Sequence, residues 1–287
     1  MLFGVLIMIN QLKTVVLLGL LTALLLWVGQ LLGGMSGLTI AFIFAIIMNF
    51  GAYWFSDKIV LAMYKAKEVK ESESPKLCKI VREVTKQANV PMPKVYIIPS
   101  DASNAFATGR NPKHAAVAAT QGILNLLNDD ELKGVIAHEI SHIKNNDILI
   151  STIAATIAGV ISYVAMMARW TAMFGGRDRE GSNNIVSLLV LTIVTPLIAT
   201  IIQLAISRSR EFLADESGAK IIQNQNGLAS ALEKLENDAK KHPMGFGNHA
   251  TSHLFIVNPF KLSGITSLFS THPAMGERIK RLKNIKF

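Results

Sequence analysis

From Thr14 to Ser56 the chain carries no charged residue, a run of 43. A soluble domain interrupts its apolar segments with charge well before that length. A bilayer, which takes about 20 residues per helical crossing, accommodates the run as two spans. Gly33-Gly34-Met35-Ser36-Gly37 supplies the turn, with spans near Val15–Leu32 and Leu38–Tyr53. No small-residue cleavage site follows the first, so it reads as retained rather than as a leader. The apolar Met1–Asn10 ahead of it reads as an interfacial extension or a misassigned start. Ile148–Ala168 (21 uncharged residues) and Ile185–Ile206 (22, broken only by Pro196) predict a second pair of spans, joined by the polar Arg169–Asn184. A re-entrant or partly buried course for that second pair is the alternative.

This partitions the chain into 1–56, an N-terminal hairpin; 57–147, a first polar block; 148–206, a second hairpin; and 207–287, a second polar block. Lys58, Lys65, Lys67 and Lys70 follow the first hairpin, whereas its turn carries no Lys or Arg, which places both termini and both blocks in the cytoplasm. The twelve Lys and Arg of the last block agree with that side. The net charge of +9 is therefore a topology signal, and with no nucleic-acid-binding motif present, nucleic acid is excluded as a partner. The single Cys78 rules out an internal disulfide or a Cys-rich metal site and reads as a buried helical thiol.

In the first block, Ser74-Pro75 opens a helix running through about Ala88, and Lys94–Pro99 and Ala115–Ala119 read as short strands with Asn104–Gly109 between them. Thr120 caps a short helix, Gln121–Leu127. Asn128-Asp129-Asp130-Glu131 then starts a helix carrying His138-Glu139-Ile140-Ser141-His142. Histidines four apart share a helix face, so both imidazoles can meet one metal ion, with Glu139 beside them to take a proton from water. Apolar Leu132, Val135, Ile136, Ile140 and Ile143 recur at helical spacing, so this helix belongs inside a domain. A catalytic zinc needs a third protein ligand. The nearby candidate positions fail, with Asn145 and Ile148 where an extended motif would place Gly and His. Arg210-Glu211-Phe212-Leu213-Ala214-Asp215, just past the last apolar segment, offers Glu211 as a ligand and Asp215, one turn on, as a partner for a histidine's free N–H. Such a pair taken alone is usually a solvated helix face.

His138-Glu139-x-x-His142, Ser209-Arg210-Glu211-Phe212-x-Ala214-Asp215 and Thr271-His272-Pro273 together resemble, in order, the motifs of the HtpX family of membrane-integral zinc metalloproteases, relatives of the CAAX prenyl endopeptidases. The likeness extends through Asn104-Ala105-Phe106-Ala107, Leu254-Phe255 and the paired N-terminal spans. It implies a membrane α-helical protein with four transmembrane helices and an α+β, zincin-type cytoplasmic domain. It also implies one Zn2+ on His138, His142 and Glu211, with Glu139 as acid/base. The implied activity is an endopeptidase of the cytoplasmic (inner) membrane that degrades damaged or misassembled membrane proteins and unfolded polypeptides. By analogy with the prenyl proteases, His272 and Arg278 line the substrate groove, His272 as an oxyanion donor; the alternative is that His272-Pro273 caps the terminal helix and Arg278 is a surface cation. Asn104 is a candidate hydrogen-bond partner for substrate backbone. Ala115 and Val117 lie on a small-residue strand suited to an edge along which an extended peptide adds. His114, His242, His249 and His253 read as solvent-facing or loop histidines, and Asn237–Pro259 as a loop over the site. Two rivals stand beside this reading: a non-catalytic membrane scaffold or metal-binding protein, and a prenyl-protein processing enzyme. Homo-oligomerisation is left open.

The ligand inferred at longest range is the most exposed to test. Replacing an outer partner of a metal ligand already costs about 10–100-fold in affinity. Glu211→Ala should therefore lower bound metal, read by elemental analysis of purified protein, by more than about a hundredfold and abolish turnover.

Overall fold

A computed structural model describes residues 2–157, 208–247, 249–260 and 273–286. Residues 158–168, the 169–184 connection, the 185–206 segment and His272 lie outside the described residues.

The backbone is helical from Leu2 to Met63 (α1), yet it is not one rod. In a straight helix, Thr22 and Asn49 would stand about 40 Å apart at 1.5 Å per residue. Instead Asn49 Nδ2 donates to Thr22 Oγ1 at 2.7 Å. The chain reverses at Gly34, whose φ of +55° suits a residue without a Cβ. Gly29 and Gly37 then meet so closely that a Cβ on Gly37 would lie 2.1 Å from the Gly29 carbonyl oxygen. The expected hairpin and its glycine turn are thus both present, the small residues letting two arms pack backbone to backbone. Among the described residues one helix, Gly34–Met63, is long and apolar enough to cross a membrane. Its outer face displays Ile40, Phe42, Ile43, Ile46 and Ile47. Four such helices are not seen among the described residues.

The polar region is a mixed α/β layer. Strands β1 (Lys67–Glu68), β2 (Lys94–Ile98), β3 (Ala105–Gly109) and β4 (Ala115–Thr120) form one sheet in the order β1-β2-β4-β3. β4 runs parallel to β2 and antiparallel to β3. This corrects one expectation. Ala115 and Val117 sit on an interior strand, paired on both sides and fully buried, so no peptide can add beside them. Small side chains there reflect close cover on both faces, which a single strand read by itself does not distinguish from an open edge. The edges are β1 and β3, and β3, beside the histidine helix, is a segment whose alternation is too weak to mark it as a strand.

Helix α2 (Pro75–Ala88) begins at Ser74-Pro75 as expected and ends at Asn89 in the left-handed conformation. Thr120 caps α3 (Gln121–Leu126) by accepting from Ile123 N–H. Helix α4 (Asp129–Lys144) opens with the anticipated capping box between Asn128 and Glu131. Glu131 does more than cap. Buried itself, it accepts from Ser230 and Lys234 at 2.7 and 2.8 Å and so ties α4 to a later helix. Leu132, Val135, Ile136, Ile140 and Ile143 are all fully buried, making α4 the centre of the core. Around it lie α2, α6 (Arg208–Ile222) and α7 (Gln225–Lys241), with β3 above. Between α4 and α6 comes α5 (Ile148–Ile157), which packs on the first arm of α1 through Leu18 and Leu25. Helix α8 (Met275–Lys283) closes the core against α6 and α7.

The crossing of α6 over α4 is set by Gly218. A Cβ there would sit 2.9 Å from the His138 amide nitrogen and 3.0 Å from the Ala137 carbonyl carbon. Only hydrogen lets α6 approach the histidine turn this closely. Gly218→Val should therefore push α6 away, costing about 1–3 kcal/mol in unfolding midpoint measurements, and should weaken metal retention in the same protein.

Candidate metal centre

Two elements deliver the site. His138 and His142 come from one face of α4, and their Nε2 atoms face each other at 3.1 Å. Glu211, on the first turn of α6, places Oε2 3.7 Å from His138 Nε2 and Oε1 3.6 Å from His142 Nε2. One donor atom from each residue falls within 4.8 Å of the others. Tetrahedral donors at about 2.0–2.1 Å from a zinc ion stand about 3.3 Å apart, so the set is close to the size a small divalent cation requires.

The ring orientations argue the same way. Asp147 Oδ2 accepts from His142 Nδ1 at 3.1 Å, and Asp215 Oδ1 lies 2.9 Å from His138 Nδ1. A carboxylate faces each Nδ1, so both rings present Nε2 inward, toward one another and toward Glu211. In the metal-free chain a proton on His142 relieves the crowding of these donors, and a metal ion would take that proton's place. The donors present fit a resident metal ion.

Glu139 is 2% exposed and accepts a hydrogen bond from the Ala107 amide of β3. Burial, helped by Glu211, pushes its carboxyl up to about 8 against the pull of His142. Burial lowers His138, so that imidazole is neutral although Asp215 opposes the shift. For His142 burial also disfavours the charged form, but Asp147, Glu211 and Glu139 outweigh it and raise the ring to about 10. Behind His138, Arg278 grips Asp215 in a two-pronged contact, Nε to Oδ2 at 2.8 Å and Nη2 to Oδ1 at 2.7 Å. Its Nη1 donates to the Ile256 carbonyl at 3.0 Å. Burial would raise Asp215, but Arg278 and His138 bring it down to about 2.

These contacts revise three expectations. Arg278 is 0% exposed and bonded to Asp215, so it positions His138 through Asp215 instead of lining a groove. Asn104 is turned inward, its Nδ2 donating to the Val257 carbonyl at 2.6 Å and its Oδ1 accepting from the Ala105 and Val257 amides. With both ends of its amide engaged it anchors a loop, and none is left for substrate. His253 is buried, not solvent-facing, and walls the cleft with Leu254, Phe255 and Ile256. The loop expected over the site is narrower than 237–259, because α7 continues to Lys241. His114 and His242 are exposed, each bonded to a neighbour, Asn111 or Asp238.

Asp147 escaped sequence reading altogether. It follows the turn at Asn145–Asn146, which folds the Asp147 amide back onto the His142 carbonyl. An acid just beyond a histidine-bearing helix was the only available hint.

A pair of histidines on a core helix, a glutamate from a second helix and a buried acid alongside define a metal-dependent hydrolase centre. A model of peptidase family M48 matches residues 71–286. The chain belongs to that family, in its HtpX branch, and is a metalloprotease. A protein called protease HtpX homolog from Syntrophobacter fumaroxidans is 51% identical over 280 residues, covering 96% of this chain and 99% of the relative. The one from Thermococcus kodakarensis is 52% identical over 280 residues, with 97% of each covered. The crystal structure of Ste24p from S. mikatae shares the fold at a TM-score of 0.50 and 19% identity, over 96% of this chain and 66% of that one.

The pKa of His142 makes a measurable claim. The ring is protonated below about 10 in the metal-free chain, and a metal ligand must be deprotonated. Metal uptake at pH 7 should therefore release at least about one proton, and affinity should rise with pH from 6 to 8 by about tenfold per unit. Titration calorimetry in buffers of different ionisation enthalpy reads both.

Proposed function

We propose that this chain is a membrane-integral zinc endopeptidase whose catalytic centre lies on the cytoplasmic side, acting on unfolded or misassembled membrane proteins. The observation that carries the reading is Glu139, buried and aimed by the Ala107 amide beside His138, His142 and Glu211. A purely structural metal site has no use for a free base in that position. When bound, the ion supplies Lewis acidity toward a peptide carbonyl and brings the pKa of water toward about 7.

The chain's own groups do the rest. Glu139 accepts the proton of the attacking water and passes it to the departing amine nitrogen. Its burial strengthens it as a base, and the Ala107 amide keeps it on the histidine side. Asp147 and Asp215 hold the two imidazoles in one tautomer. Substrate is proposed to lie extended along β3, the edge next to Glu139. That edge is partly covered by the chain itself, since Ile256 N–H donates to the Ala105 carbonyl at 3.2 Å and Gly109 N–H reaches Thr152 Oγ1. The cleft over these groups is narrow, about 30 Å³. A peptide therefore enters only as the 253–257 segment parts from β3, which favours flexible, unfolded chains over folded ones. His272 remains a candidate oxyanion donor.

Membrane insertion is supported by the apolar faces of the Gly34–Met63 helix and by α5, which runs from the site toward the α1 hairpin. The cytoplasmic orientation rests on the basic residues that follow α1, and a second crossing pair on the 148–206 hydropathy.

Glu139→Gln reconstituted in lipid should keep its metal and lose turnover by about 10²–10⁴-fold on both a casein-like substrate and a misfolded membrane protein. Equal activity in the two proteins would remove Glu139 from the chemistry. Cleavage of soluble substrates alone by the native enzyme in lipid would overturn the substrate class, and selective cleavage of a prenylated C-terminal peptide would favour the processing reading.

A further inference from the structure

A second cavity stands away from the metal. It is a groove of about 530 Å³ between the lower end of α1 and the β3–β4 turn, within the range of small-molecule sites. Its floor is aromatic, formed by Phe50, Trp54 and Phe55 of α1. Its rim is basic, with Lys58 one turn below and Arg110 and Lys113 from the turn.

The cations are set, not merely nearby. The Arg110 guanidinium stacks 4.6 Å from the Trp54 ring centre, and Lys58 Nζ lies 5.5 Å from that of Phe55. Among the described residues no carboxylate pairs with Lys58, Arg110 or Lys113, and Asp57 is the only acid lining the groove. The groove also begins where the uncharged part of α1 stops, at Ser56, after Tyr53-Trp54-Phe55. Aromatic residues followed by cations mark the level of the lipid headgroups.

We infer that this groove binds an anionic phospholipid, the phosphate held by Lys58, Arg110 and Lys113 and the acyl chains running up the aromatic face of α1. The inference rests on membrane insertion of Gly34–Met63 and is independent of the chemistry at Glu139. A lipid satisfies both halves of the site at once. Free phosphate leaves the aromatic floor uncovered, and an apolar peptide leaves three cations uncompensated. Bound there, the lipid pins α1 to the β3–β4 turn, and so to the edge strand beside the metal site.

The test uses full-length, metal-loaded protein released from bilayers of equal parts phosphatidylglycerol and phosphatidylcholine into native mass spectrometry. Phosphatidylglycerol should be retained about tenfold or more over phosphatidylcholine, since each basic residue near an anionic surface contributes several-fold. Lys58→Gln/Arg110→Gln/Lys113→Gln should fall to parity with its metal intact, while Lys58→Arg/Lys113→Arg keeps the preference. Inorganic phosphate added in large excess should not displace the lipid. Equal retention by the native protein, an unchanged preference in the triple glutamine variant, or displacement by phosphate or by an apolar helical peptide would each overturn the assignment. If the protein fails to float with vesicles at all, the membrane reading falls instead.

Discussion

The buried Arg278 guanidinium is what makes this active centre tolerable. Four buried acids, Glu139, Asp147, Glu211 and Asp215, crowd two imidazoles, one of them, His138, itself buried. Desolvated charges are costly without partners, and breaking such a buried pair costs about 3–5 kcal/mol. Arg278 answers Asp215 with two hydrogen bonds and lies 3.9 Å from Glu211. It also fastens the C-terminal helix to the Ile256 carbonyl of the segment walling the cleft. One side chain thus ties α8, α6 and the cleft wall together behind the histidine helix.

The arrangement also separates two tasks that share a chemistry. Asp147 and Asp215 are carboxylates spent on orientation, each facing an Nδ1. Glu211 faces both Nε2 atoms, and Glu139 stands aside on the Ala107 amide. The environment assigns the roles: ion pairing holds Asp215 down near 2, while burial lifts Glu139 to about 8.

The apolar and polar halves are packed directly against one another. Helix α5 leaves the site at Asp147 and passes Thr152, which meets Thr108 on β3, before reaching the α1 hairpin. The aromatic cluster of Tyr64, Phe106 and Phe255 joins the end of α1, β3 and the cleft wall, with Phe255 edge to face against the other two rings.

Much of this was legible in the chain as written, where the information is local. The glycine turn of α1, the Pro75 helix start, the Thr120 and Asn128 caps and the histidine pair depend on residues within a turn or two of each other, so periodicity and capping chemistry announce them. Glu211 and Asp215 were accessible because two histidines demand a third ligand, and a metal's coordination rules act regardless of sequence distance. Tertiary structure alone decided which strand is the edge, since burial on two sides and burial on one produce the same run of small residues in Ala115–Thr120. It alone turned Arg278 and Asn104 inward, because a guanidinium or an amide looks the same in a sequence whether its partner is substrate or the carboxylate and carbonyl that folding brings to it.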